Sequence, residues 1–169
     1  MRFFVTGVGG QLGHDVMNEL LKRGHEGVGS DIQECYSGAA DGSAVTRAPY
    51  RTLDITDREA VHNVIAEIHP DVVFHCAAWT AVDLAEDEAN IDKVRAINAD
   101  GTKNIADVCK ELNCKIFLQY LTHCQLTFQL CLSIDIERRI ILAVRLPWLA
   151  SLTIKDIVCA DINHFTIQY

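Results

Sequence analysis

A strand that runs directly into a cluster of glycines constrains this chain more than any other feature. Phe3, Phe4 and Val5 form a short apolar run, the pattern of a strand buried on both faces. Gly7, Gly10 and Gly13 follow as G-x-x-G-x-x-G, with Gly9 between them. A helical pattern then begins, carried by Leu12, Val16, Leu20 and Leu21. This order suits a pyrophosphate. A tight turn brings the backbone close to it, and its charge rests on the free N–H groups at the start of the helix. The third glycine lets helix and strand pack closely.

The surroundings strengthen that reading. Lys22, Arg23 and Gly24 end the helix with cations and a glycine. Gly27 to Asp31 reads as a second strand ending in an acid, 21 residues after Gly10. At that distance a carboxylate meets the ribose hydroxyls of an adenosine. The competing reading is a plain glycine turn beside a solvated aspartate. The dinucleotide is NAD or NADP. An acid at this place favours NAD, because it repels a 2′-phosphate.

Further along, residues 32–49 form a loop of small residues, expected at the surface beside the adenosine end. Arg51 to Asp57 supplies a short strand and a helix cap, with Thr56 or Asp57 as the capping residue of a helix carrying Val61, Val64, Ile65 and Ile68. Asp71 to Cys76 is a buried strand that opens into Ala77, Ala78, Trp79 and Thr80. One long helical region with Val94, Ile97, Ile105 and Val108 as its apolar stripe follows, then a strand over Lys115–Tyr120. This alternation predicts an α/β fold, a Rossmann-like doubly wound parallel sheet.

The chain has 169 residues and a net charge of −8. Its length suffices for one domain with a real core, and its charge argues against a nucleic-acid partner. Seven cysteines are scattered singly, which suggests reduced thiols in the cytoplasm and no zinc site. The apolar run after Met1 is too short for a signal peptide. The stretch from Ile116 to Ile134 has no charge but contains Gln119, His123, Gln125 and Gln129, so no membrane span is expected.

The motifs Val5–Gly13, Leu53–Asp57, Pro70–Asp83 and Ile97–Asn104 resemble the extended short-chain dehydrogenase/reductase superfamily. Within it they are most similar to the dTDP-4-dehydrorhamnose reductase family. The resemblance covers residues 1 to about 120. It implies that Gly7, Gly10, Gln11, Leu12 and Gly13 form the pyrophosphate turn, and that Asp31 meets the ribose. It further implies that Asp54 and Ile55 flank the adenine, that Ala77, Ala78 and Thr80 line the nicotinamide ribose, and that Asn98 supports the active site. The family reduces a 4-keto deoxysugar nucleotide with NAD(P)H, in dTDP-L-rhamnose biosynthesis.

The family also needs a Ser or Thr, a Tyr and a Lys four residues after it. The Tyr protonates the developing alkoxide, and the Lys lowers its pKa. Tyr36, Tyr50 and Tyr120 are followed four residues on by Ala40, Asp54 and Cys124, and Tyr169 is the last residue. The motif is absent. Thr122 is a weak candidate for the hydroxyl position, and no catalytic residue is assigned. Two readings of other residues stay bland. His75 and Cys76 are expected in the core. Asp83, Glu86, Asp87 and Glu88 are expected as a solvated first helical turn, with sugar-nucleotide contact by Asp83 or Glu86 as the minority reading. His123 with Cys124 is not read as a nucleophilic pair.

Two units are therefore expected: a dinucleotide-binding domain over 1–120 and a divergent, irregular apolar tail over 121–169. All ten glycines fall at or before Gly101, and the tail offers few turn signals. Within it, Ile140–Trp148 is faintly similar to a later strand of the family, with chance preferred. Three functions follow as expectations: a reductase, a dinucleotide-binding regulatory subunit like that of methionine adenosyltransferase, or the inactive product of a shifted reading frame or altered splice. The sheet's apolar edge and uncovered helix faces are expected to be covered by the apolar tail or to drive self-association, and the regulatory-subunit reading implies a larger protein partner. A chain so organised has marginal stability, with a thermal midpoint below about 55 °C expected by circular dichroism.

Overall fold

The computed structural model describes residues 1–120 and 140–144. The strands are β1 (Arg2–Thr6), β2 (Glu26–Asp31), β3 (Tyr50–Thr52), β4 (Val72–His75), β5 (Lys115–Tyr120) and β6 (Ile140–Val144). They form a six-stranded sheet in the order β3-β2-β1-β4-β5-β6, and every pair is parallel. The order reverses between β1 and β4, each of which neighbours the other. In open sheets of this kind ligands bind beyond the carboxyl ends of the strands at that point.

Three helices cover the sheet: α1 (Gln11–Lys22), α2 (Arg58–Ile68) and α5 (Thr102–Glu111). The pleat sorts the core between its two faces. Phe3, Val5, Val72, Phe74 and Phe117 pack with Val16, Met17 and Leu20 of α1. Phe4, Val73, Ile116 and Leu118 point the other way and pack with Val61 and Ile65 of α2 and Ile105 and Val108 of α5. Phe3, Phe4, Met17, Leu20, Ile65 and Ile105 are all fully buried, and each contributes about 1.5–3 kcal/mol relative to exposure. Asp57 caps α2 as expected, accepting from the Ala60 N–H at 3.0 Å. The helix ends on His69 in the left-handed region, φ 48°.

Three segments differ from the sequence expectation. The region after β4 is not one long helix. It runs as α3 (Val82–Ala85), a 3-10 turn (Glu88–Asn90), α4 (Ile91–Arg95), a π-helical turn (Ala96–Gly101) and then α5. Asp87 starts the 3-10 turn by accepting from Ala89 N–H, a local bond that competes with continuous helix. The loop over 32–49 holds a 3-10 turn, Ala44–Arg47, whose Val45 is buried beside α1. The apolar run Ile140–Val144, to which the sequence assigned no fold, is a strand in register with Ile116–Tyr120. A parallel strand needs only a short continuous apolar run, which periodicity does not distinguish from a helix fragment.

The glycine turn holds β1 and α1 together. A Cβ on Gly13 would lie 2.2 Å from the Gly7 carbonyl oxygen. Gly7 itself has φ +70°, and a Cβ there would lie 2.6 Å from the Ala77 backbone nitrogen. Neither obstruction is a side chain that can turn aside. We expect Gly13→Ala to destabilise the fold by roughly 2–4 kcal/mol, measured as a lowered urea midpoint against wild type.

Candidate functional site

The site is built on the carboxyl ends of β1, β2 and β4. Beyond β1, the backbone turns through Gly7–Gly10, with the Gly10 N–H donating to the Gly7 carbonyl at 3.1 Å. Gly10 stands at the start of α1. No side chain caps that helix start, and its first turn carries no acid. A Cβ on Gly10 would meet only the Gly7 oxygen, at 3.4 Å. The N-terminal amides of this twelve-residue helix thus stand uncapped at its positive end. Gln11 is exposed there. Leu12 is half-buried and packs on the core beneath.

Asp31 closes the adenosine side. One carboxylate oxygen accepts from the Gly9 N–H at 3.0 Å, and the other from the Ile32 N–H at 2.8 Å. The acid at the end of β2 therefore touches the glycine turn itself. One residue earlier, the Ser30 hydroxyl is buried with no partner among the described residues. It is a polar atom left unused at the carboxyl end of the sheet. Asp54 is exposed and accepts from both the N–H and the hydroxyl of Thr56. The Ile55 side chain is buried among α2 and α5 residues, and its carbonyl accepts from Asn104 at 3.0 Å.

The loop over 32–49 joins α1 through a polar cluster that the sequence reading did not single out. The His14 ring meets Tyr36 OH through Nδ1 at 2.5 Å, and Asn18 and Asp41 through Nε2 at 3.0 and 3.2 Å. Asn18 also donates to the Ser43 hydroxyl and accepts from Val45 N–H. The Ser43 hydroxyl and amide, then His14, hold the Asp41 carboxyl below its ordinary range. Burial, with the Asp41 charge, pushes the Tyr36 phenol up. Only the i, i+4 spacing of His14 and Asn18 is visible as sequence. Their partners lie 22 to 27 residues away, beyond local pattern.

On the other side, Ala77 lies half-buried against Gly7, while Ala78 and Thr80 are exposed. Asn98, in the π-helical turn, grips the loop through one residue. Its Oδ1 accepts from the Trp79 N–H at 2.7 Å and its Nδ2 donates to the Trp79 carbonyl at 3.1 Å. The Lys93 ammonium sits 5.1 Å from the centre of the Trp79 ring. Asp83, Glu86, Asp87 and Glu88 are exposed, and Asp87 is spent on its own turn. Thr122, His123 and Cys124 lie outside the described residues.

His75 is buried beneath the loop. Its Nδ1 faces the Thr6 hydroxyl at 2.8 Å and its Nε2 the Thr102 hydroxyl at 3.1 Å. Thr6 and His75 are register partners on β1 and β4, so the pleat puts both on the α5 side. Burial pushes the His75 imidazole down to about 4 and the neighbouring Cys76 thiol up to about 12. Among the described residues no group of His, Cys, Asp or Glu is placed to hold a metal ion, and no helix is long and apolar enough to cross a membrane.

Sheet order and glycine turn together define a doubly wound parallel α/β domain of the Rossmann-like kind. The chain belongs to the RmlD substrate binding domain family, whose model matches residues 1–122. A dTDP-4-dehydrorhamnose reductase of Streptomyces griseus is 36% identical over 121 residues, covering 72% of this chain and 33% of that relative. A solved dTDP-4-dehydrorhamnose reductase from Bacillus anthracis, in complex with NADP, matches at 30% identity with a TM-score of 0.55, covering 70% of this chain and 35% of that one. A UDP-glucose 4-epimerase from Thermus thermophilus, in complex with NAD, matches at 25% identity and a TM-score of 0.61, over 70% of this chain and 37% of that one. The chain spans about a third of the length of the curated relatives it matches.

The buried imidazole sets a pH dependence. His75 binds a proton in the unfolded chain near pH 6.5 but in the folded chain only near about 4. Its share of stability is complete above pH 6.5 and is lost as the pH falls through that window, roughly 3 kcal/mol in all. Urea unfolding from pH 7 to 4 should show a steeper fall in stability for wild type than for His75→Gln.

Proposed function

We propose that residues 1–120 hold a nicotinamide dinucleotide and are the cofactor-holding half of a sugar-nucleotide reductase of the dTDP-4-dehydrorhamnose type. The observation that carries this is the start of α1. It is free of side-chain caps and first-turn acids, it lies at the carboxyl ends of β1 and β4, and Asp31 abuts it through Gly9. The pyrophosphate fits the amides of Gly10, Gln11 and Leu12, with Gly7 and Gly13 shaping the turn. In this reading Asp31 meets the adenosine ribose and Asp54 the adenine side. Ala77, Ala78 and Thr80 form the rim at the nicotinamide end, and Asn98 holds that rim in place. Bound there, the dinucleotide would supply a hydride. The NADP and NAD complexes named above support this class of ligand, and the reductase relatives support a sugar nucleotide as the other reactant.

This chain's own residues bind and orient, and they lack the Tyr-x-x-x-Lys acid. The matched segment ends at residue 122, and the strand Ile140–Val144 beyond it belongs to the same sheet. Titration of the full chain with NADH and NADPH, followed by nicotinamide fluorescence, should give saturable binding. Asp31→Ala should weaken NADH about tenfold, the equivalent of one charge-assisted hydrogen bond. Absence of binding for both dinucleotides would overturn the proposal. With dTDP-4-keto-6-deoxy-L-mannose added, no sugar-dependent oxidation of NADPH is expected from this chain alone. A measurable rate would mean that another group serves as the acid.

A further inference from the structure

Hydrogen-bond direction can be followed through the buried polar residues under the loop after β4. The Thr102 hydroxyl donates its single proton to the Asn98 carbonyl at 2.8 Å. It can therefore only accept from His75, so Nε2 carries the ring proton. Nδ1 is then a lone pair, and the Thr6 hydroxyl donates to it. That leaves the Thr6 oxygen free to accept, and it accepts from the Cys76 and Ala77 N–H groups, both at 3.2 Å. One chain of bonds with a single direction results. It runs from the Cys76 and Ala77 amides through Thr6, His75 and Thr102 to the Asn98 backbone, whose side chain clasps Trp79.

Thr6, His75 and Thr102 are 1%, 6% and 6% exposed, so water does not substitute for any link. Each hydroxyl both donates and accepts, and each ring nitrogen has one partner. A ring with the proton on Nδ1 would present a donor to Thr6 and a bare lone pair to Thr102, breaking the chain at both ends.

We infer that His75 is a positioning residue: as the neutral Nε2–H tautomer it ties the two ends of the 76–79 loop, Ala77 through Thr6 and Trp79 through Thr102 and Asn98, into one fixed shape. The inference rests on the reading of this loop as the nicotinamide end of the dinucleotide site. His75 touches no ligand in this scheme. It acts on the loop through two threonines. The Ala77 backbone already lies against Gly7, so fixing 76–79 also fixes the floor on which the glycine turn sits.

The test uses amide hydrogen exchange on the full chain. Thr102→Val keeps the shape of the side chain and removes the link between His75 and Asn98. It should raise exchange at Ala77 and Trp79 about tenfold or more, while Val5 and Phe74 in the adjoining strands change less than about twofold, since sub-global openings can be separate from global unfolding. Thr102→Ser, which restores the hydroxyl, should restore protection. Affinity for NADH should fall in Thr102→Val and recover in Thr102→Ser. Uniform acceleration through β1, β4 and the loop would mean a merely structural contact and would overturn the inference, as would no change. If Thr102→Val does not fold, the imidazole nitrogen-15 shifts of wild type decide, because an Nδ1–H ring is incompatible with the chain. Should wild type bind neither dinucleotide, the functional proposal falls, and the exchange pattern still decides whether the loop is tied through His75.

Discussion

At Gly7 three stretches of backbone meet with no room for a side chain between them. The turn after β1 rests on the Ala77 backbone on one side and on Gly13 of α1 on the other. This close approach is the constraint on which the rest of the site depends. It brings the start of α1 to the carboxyl ends of the strands, and it brings the loop after β4 against the same turn. Packing at this density transmits small displacements, because there is no soft side chain to absorb them. The two sides of the proposed dinucleotide site therefore meet on one close-packed floor of backbone at Gly7.

Buried polarity then does what packing alone does not. Among the described residues, the buried polar side chains on the α5 side are Ser30, whose hydroxyl has no partner, and the linked set Thr6, His75 and Thr102. A hydrophobic replacement of the three would fill the same volume. It would take the Thr6 hydroxyl from the Ala77 amide and leave the Cys76 amide only the Thr6 carbonyl at 3.3 Å, and unmade buried bonds cost more than made ones contribute. The cluster of His14, Asn18, Tyr36, Asp41 and Ser43 plays a comparable part at the adenosine end, where it anchors a loop with little apolar content to α1. Both networks join elements far apart in the chain, and both lie behind the proposed ligand surface.

The parts legible from sequence are those with a local physical signature. The apolar run of Phe3–Val5, the spaced glycines, the Asp57 cap and the acid at the end of β2 each depend on residues within a turn or two. The family motifs extended that reading to Ala77 and Asn98. What escaped was long-range or of ambiguous period. Asp31 was expected to face a ribose, and its contact with Gly9 depends on the parallel pairing of β1 with β2. The helical stripe through Val94, Ile97, Ile105 and Val108 concealed the breaks at Asp87 and at the π-helical turn, since apolar spacing changes little when one turn widens. Ile140–Val144 carried no alternation, because a strand in a parallel sheet needs none. The direction of the bonds through His75 is not encoded in any residue type. It emerges only when each hydroxyl proton is assigned.

The parallel order of the strands has a consequence for how the chain acquires its binding shape. The glycine turn is made from the first thirteen residues, yet its floor is Ala77, and the amides it shares with Thr6 lie 70 and 71 residues further on. The helix that completes the loop begins only at Thr102. None of these contacts can form until residues 76, 77 and 102 have been synthesised, and closing so long a separation is slow compared with forming a local turn or helix. During synthesis the first part of the site to leave the ribosome is thus the last to become competent. The proposed dinucleotide would favour the finished fold and would have no purchase on the early chain.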